Sequence, residues 1–72
     1  MPVGIIQFFI ESKGFGYVRV PETREEFHVR RQHLLTPVQK GDQVRFAIKE
    51  NKRGMHAVAV EKINTNSFKP GD

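Results

Sequence analysis

The apolar residues of this chain come in short stretches, each cut off within a few positions by glycine, proline or charge. The stretch 43–49 shows most clearly what that pattern means. Val44, Phe46 and Ile48 alternate with Gln43, Arg45, Ala47 and Lys49, and alternation at period two marks a strand with one face buried. Residues 4–10, rich in Ile and Phe, read as a first strand, Ser12-Lys13-Gly14 as a turn and 15–20 as a second strand. Pro21 opens a polar loop that ends the second strand. A third strand is expected over 26–30 and a fifth over 55–61. Between the third and fourth lies an irregular stretch, with a helical turn around 31–35 stopped before Pro37. A polar turn over 50–54 joins the last two strands.

Five short strands in so few residues make an all-β chain. They favour a closed or nearly closed barrel, because closure removes the free edges of an open sheet. A small SH3-like or Tudor-like barrel satisfies the same strand count. The chain has 72 residues and no cysteine, so neither disulfides nor thiolate-bound metal reinforce what must be a small core. One domain is expected over 1–63, followed by a flexible C-terminal tail over 64–72 whose only large anchor is Phe68. The N-terminus carries no basic segment followed by a long apolar run, and no stretch approaches the length of a spanning helix. A soluble, unexported, cytoplasmic protein with no membrane partner is the expectation.

Lys13-Gly14-Phe15-Gly16-Tyr17-Val18 is the most informative segment. Phe15 and Tyr17 stand two apart and share one face of a strand, while Val18 and Val20 share the other. Turning the two aromatics inward would expose both valines and bury a phenol, at about 1–3 kcal/mol if its hydroxyl found no partner. Outward aromatics are the cheaper arrangement. Gly14 can adopt a turn conformation closed to other residues, and Gly16 adds no bulk between the rings. Aromatic planes beside Lys13 and Arg19 on a barrel surface suit a single-stranded nucleic acid, whose bases stack while cations meet its phosphates. Twelve Lys and Arg against eight Asp and Glu, a formal charge of +4, agree with a polyanionic partner.

These residues resemble the bacterial-type cold-shock domain family. The KGFGYV segment is similar to that family's first ribonucleoprotein motif, Lys-Gly-Phe-Gly-Phe/Tyr-Ile/Val. Gly4 begins the first strand as in the family, Phe8 stands where a surface Trp or Phe is usual, Phe9 where another aromatic is usual, and Glu11-Ser12 leads into the motif. Gly41-Asp42-Gln43-Val44-Arg45-Phe46 resembles the Gly-x-x-Val-x-Phe entry to the fourth strand. Gly54-Met55-His56-Ala57-Val58-Ala59-Val60 resembles the closing Gly-Pro-x-Ala-x-x-Val. The resemblance covers residues 4 to about 61. It implies a five-stranded antiparallel OB-fold barrel that binds single-stranded RNA or DNA.

The second ribonucleoprotein motif diverges. Where the family reads Asp-Val-Phe-Val-His-Phe, this chain has Glu26-Phe27-His28-Val29-Arg30-Arg31. A slip of one residue reverses every face of a strand, so alternation decides the register. Phe27 and Val29 inward, with His28 and Arg30 displayed, avoids an unpaired buried carboxylate. His28 then replaces a displayed Phe, Arg30 a displayed His and Arg31 a final Phe. The connection from Leu34 to Gly41 is short, and Met55 replaces the usual Pro.

The expected stacking face is Phe8, Phe15, Tyr17 and His28. The expected phosphate contacts are Lys13, Arg30, Arg45, Lys52 and Arg53. The expected core is Ile6, Val18, Val20, Phe27, Val29, Leu34, Val44, Phe46, Ile48, Val58 and Val60, with Phe9 at a barrel edge. His28, His33 and His56 are spread over different elements, and Glu22, Glu25 and Glu26 read as a solvated cluster. No catalytic set, metal site or cofactor is therefore expected. The alternative function is a protein-interaction barrel using the same aromatic patch.

Overall fold

The computed structural model describes residues 2–63; the expected tail and its Phe68 lie outside them. Alternation becomes five strands, β1 (Val3–Ile10), β2 (Phe15–Val20), β3 (Glu25–Arg30), β4 (Gln43–Asn51) and β5 (Gly54–Lys62), with a 3₁₀ turn at Arg31–His33 after β3. They close into a barrel in the order β1-β2-β3-β5-β4, the all-β OB-type architecture that the resemblance implies. Every ladder is antiparallel except β3 against β5, where His28 faces His56 and Val29 faces Ala57 in parallel register. Closure runs through β1 and β4, which pair from Val3↔Arg45 to Ile5↔Gln43. No helix among the described residues is long and apolar enough to cross a membrane.

The turns follow local chemistry. Gly14, at φ +74°, sits in the left-handed region and closes the β1–β2 hairpin with its N–H donating to the Ile10 carbonyl at 2.7 Å. Its own carbonyl accepts from the Arg31 N–H at 2.9 Å, fastening the first turn to the 3₁₀ turn. The β4–β5 hairpin is tighter than the sequence suggests. Pairing continues to Asn51↔Gly54, leaving only Lys52 and Arg53 as the connection, with the Asn51 carboxamide accepting from the Arg53 N–H at 2.8 Å.

The core holds Ile6, Val18, Val20, Phe27, Val29, Val38, Val44, Phe46, Ala57 and Val60, with Phe9 and Leu34 packed against it. The inward register of Phe27 and Val29 agrees with the alternation argument; they are 3% and 0% exposed. Three core expectations need correction, and two core residues, Ala57 and Val38, lie outside the expected set. Leu34, expected in the core, is only partly buried and packs against it, as does Phe9. Ile48 is 43% exposed, because it lies toward one open end of the barrel beside Val20, Pro21 and Phe27. Val58 is only half-buried, and Ala57 takes its place inside. Val38, in the irregular connection, completes the core.

Both β1 and β5 depart from strict alternation, by one residue each. On β5, Glu61 stands opposite Arg45 but Val58 stands opposite Ala47. Two β5 residues thus span a gap that β4 crosses with Phe46 alone. The bulge centres on Ala59, which adopts φ +51°, and it lets Ala57 and Val60, three apart, both face inward. On β1, Ile6 stands opposite Val18 and Phe8 opposite Tyr17, directly following. Gln7 is therefore the extra residue, and Ile6 faces in while Phe8 faces out.

Ala59 identifies a testable site of strain. The left-handed conformation costs an L-residue about 1–2 kcal/mol, while glycine there gives back roughly 0.5–1 kcal/mol in chain entropy. Ala59→Gly is expected to raise unfolding stability by about 0.5–1 kcal/mol in urea denaturation. An unchanged or lower midpoint would show that the bulge is not strained.

Candidate functional site

The site is built by register rather than by proximity in sequence. Phe8 on β1 pairs with Tyr17 on β2, Tyr17 with His28 on β3, His28 with His56 on β5, and His56 with Lys49 on β4. One residue from each strand thus stands in a single row across the barrel. Phe15 lies one step along, opposite Arg30. The Gln7 bulge is what places Phe8 in this row. Gly16 lets β1 approach, since a Cβ on it would lie 2.1 Å from the Phe8 carbonyl oxygen.

The rings touch continuously. Phe8 meets Tyr17 at 5.4 Å between centroids and Phe15 edge-on at 6.4 Å. His28 stacks on Phe15 at 5.5 Å with planes 21° apart, and meets Tyr17 at 5.3 Å and His56 at 5.8 Å edge-on. Phe8 is 38% exposed and the others are half-buried, so the cluster packs against itself while keeping ring faces and edges open to solvent. Offset and edge-to-face contacts of this kind are favourable for aromatic quadrupoles.

Charge around the rings is one-sided. A groove of about 450 Å³ beside Phe15 and His28 is lined by Lys13, Arg30 and Arg31. A second, of about 340 Å³, runs from Arg30 past His33 and His56 to Lys49 and Arg53. Neither is lined by a carboxylate. Arg31 is partly engaged, since its guanidinium donates to the Glu11 backbone carbonyl and lies 3.8 Å from the Glu11 carboxylate. Among the described residues, no group of His, Asp or Glu is placed to hold a metal ion.

The structure brings Phe8, Phe15, Tyr17 and His28 together, with Lys13, Arg30 and Arg53 along the adjoining grooves. It does not bring Arg45 there. Arg45 pairs with Glu61 through two 3.1 Å contacts, so its charge is largely answered within the protein. Lys52 sits in the hairpin turn and lines neither groove. The sequence reading missed His56 and Lys49. Lys49 was legible as an outward residue of an alternating strand. Placing His56 beside His28 needed the parallel β3–β5 junction.

His28 is also the one described side chain with a buried, unpartnered polar atom, its Nδ1. Burial first, then the positive charge of Arg30 and the neighbouring His56, lower its pKa from the ordinary value near 6.5. A lowered pKa keeps the ring neutral in the folded chain while the unfolded chain protonates sooner. Well above pH 6.5 the two states hold the same proton count at this ring. Below it stability falls until the folded ring protonates as well. The urea midpoint is expected to drop on going from neutral to mildly acidic buffer, and His28→Gln to reduce that drop. An identical drop in the variant would assign the acid sensitivity to other groups.

A family model described as the 'Cold-shock' DNA-binding domain matches residues 3–63. Among solved structures, one described as drosophila Unr CSD456 aligns with a TM-score of 0.73 at 21% sequence identity. The alignment covers 94% of this chain and 29% of that one. The likeness is one of fold, and this chain spans less than a third of that structure. No curated protein sequence matches the chain.

Proposed function

The chain belongs to the cold-shock DNA-binding domain family, a nucleic-acid-binding and non-enzymatic fold, and from that membership we propose that it binds single-stranded RNA or DNA with low sequence selectivity. The observation that carries this reading is the ring face. Phe8, Phe15, Tyr17 and His28 are in mutual contact on one open surface, next to grooves lined by cations and by no carboxylate. Every base has a π-face, so stacking tolerates any sequence, whereas a duplex hides those faces within its own stack. Lys13, Arg30 and Arg53 would take phosphates. Arg30 can also lie flat on a base, because its guanidinium is planar and delocalised. Acidic rather than basic grooves beside the rings would have favoured a protein partner.

The test is an anisotropy titration with homopolymeric DNA and RNA, single-stranded and duplex, at two salt concentrations. Single strands should bind more tightly than the matching duplex, and equal or tighter duplex binding would sink the reading. For three phosphate contacts the slope of log affinity against log salt should be about −2, at roughly −0.7 per phosphate.

Single-residue variants separate stacking from charge attraction. Phe15→Ala and Tyr17→Ala should each weaken binding by about 1–3 kcal/mol, the worth of one base–aromatic stack, and leave the salt slope unchanged. Phe27→Ala is the control. It empties a core site beside Phe46, whose ring centroid is 5.7 Å away. It should cost about 3–5 kcal/mol of stability and affect binding only through unfolding. Folded ring variants that bind like the parent would transfer the patch to a protein-interaction role.

A further inference from the structure

Two titratable rings stand at the centre of the cross-strand row, and their surroundings are nearly all cationic. His28 and His56 are direct neighbours across the β3–β5 junction. Along β3, Glu26 and Arg30 flank His28 on the same face, two residues to either side. From β2 it faces Tyr17, with Arg19 beyond, opposite Glu26. From the first turn and the 3₁₀ turn, Lys13 and Arg31 share its groove. His56 faces Lys49 on β4, and His33 and Arg53 close its groove. Its Nε2 lies 3.0 Å from the Asn51 Oδ1. The carboxylates in this circle are Glu26, which stands opposite Arg19, and Glu11, 3.8 Å from the Arg31 guanidinium.

In the free protein burial and these neighbours work against a proton on His28. A charge on one imidazole repels the other and repels Arg30, and the buried Nδ1 of His28 has no acceptor for a second N–H. Phosphates seated in the two grooves, one beside His28, Lys13 and Arg30 and one beside His56, Arg30 and Lys49, reverse the balance, because each imidazolium then gains a counter-charge. We propose that His28 and His56 form a proton-linked contact for the phosphate backbone of a bound strand, so that binding takes up a proton and tightens as pH falls below neutrality. This rests on the single-strand reading above and adds a regulation to the same site.

The sign follows from linkage. A ligand that raises the pair's affinity for protons must be bound more tightly when protons are abundant, by the same factor. Uptake of one proton limits the gain to about tenfold per pH unit.

The probe is a short thymidine homopolymer, whose bases and phosphodiesters do not titrate where histidine does. At constant ionic strength, affinity should tighten about three- to tenfold between roughly pH 7.5 and roughly pH 5.5. The His28→Phe, His56→Gln double variant should bind with a flattened pH response. Titration of the imidazole proton resonances should show the His28 pKa rising when the oligonucleotide is added to the unaltered protein. That readout does not depend on any variant folding. Affinity that is constant with pH, a response that survives the double variant, or an unmoved His28 pKa overturns the proposal while leaving single-strand binding standing. Absence of binding at every pH removes the single-strand reading itself, and the proton linkage with it.

Discussion

Gly16 carries no side chain because there is no room for one. A Cβ there would meet the Phe8 carbonyl oxygen at 2.1 Å and the Phe9 Cα at 2.8 Å, separations that a packed interior does not tolerate. This close approach lets β1 fold tightly onto β2 at the point where Gln7 bulges out of the ladder. The bulge sets the inside and outside of everything that follows on β1. Ile6 stays in the core, Phe9 packs against it, and Phe8 turns out to face Tyr17. With strict alternation Phe8 would follow Ile6 inward and the ring face would lose its β1 edge.

A second bulge has the same effect on the far side of the barrel. Ala59 flips the face of β5, so that Val60 and Ala57 fill the interior on either side of it. His56 consequently points outward beside His28 rather than into the core. The two bulges act on opposite ends of one row, and the row is continuous because both are present. Barrel closure in a chain of this size leaves little apolar volume to spare. The interior is accordingly filled by small and medium aliphatics around Phe27 and Phe46, with no buried polar or charged residue among those described.

The two arginines and the histidine of the segment 26–31 have local structural consequences. Arg31, where the resembled family carries a final Phe, holds the Glu11 carbonyl and carboxylate and so ties the first turn to the 3₁₀ turn. Arg30 has no ion pair among the described residues and lines both grooves. His28 keeps a flat ring stacked on Phe15 but adds two nitrogens, one of them buried and unpartnered.

The chain by itself determined the strands, the turns at Gly14 and Pro21, and the faces of β2 and β3. Alternation within one strand is a local property, and burying Tyr17 or Glu26 would have carried a desolvation cost readable without a partner. The KGFGYV segment marked the ring face for the same reason. The Ala-x-x-Val spacing of Ala57 and Val60 held a trace of the second bulge, since two core residues three apart cannot share a face of a regular strand. Only the tertiary structure decided the rest. A bulge is a mismatch in residue count between two paired strands, and it has no meaning until the pairing exists. Val38 enters the core from a connection with no period. Ile48 stays exposed because the barrel opens beside it, and Arg45 is neutralised by Glu61, sixteen residues on. His56 reached His28 through a parallel junction between strands distant in sequence, a contact that no local pattern encodes.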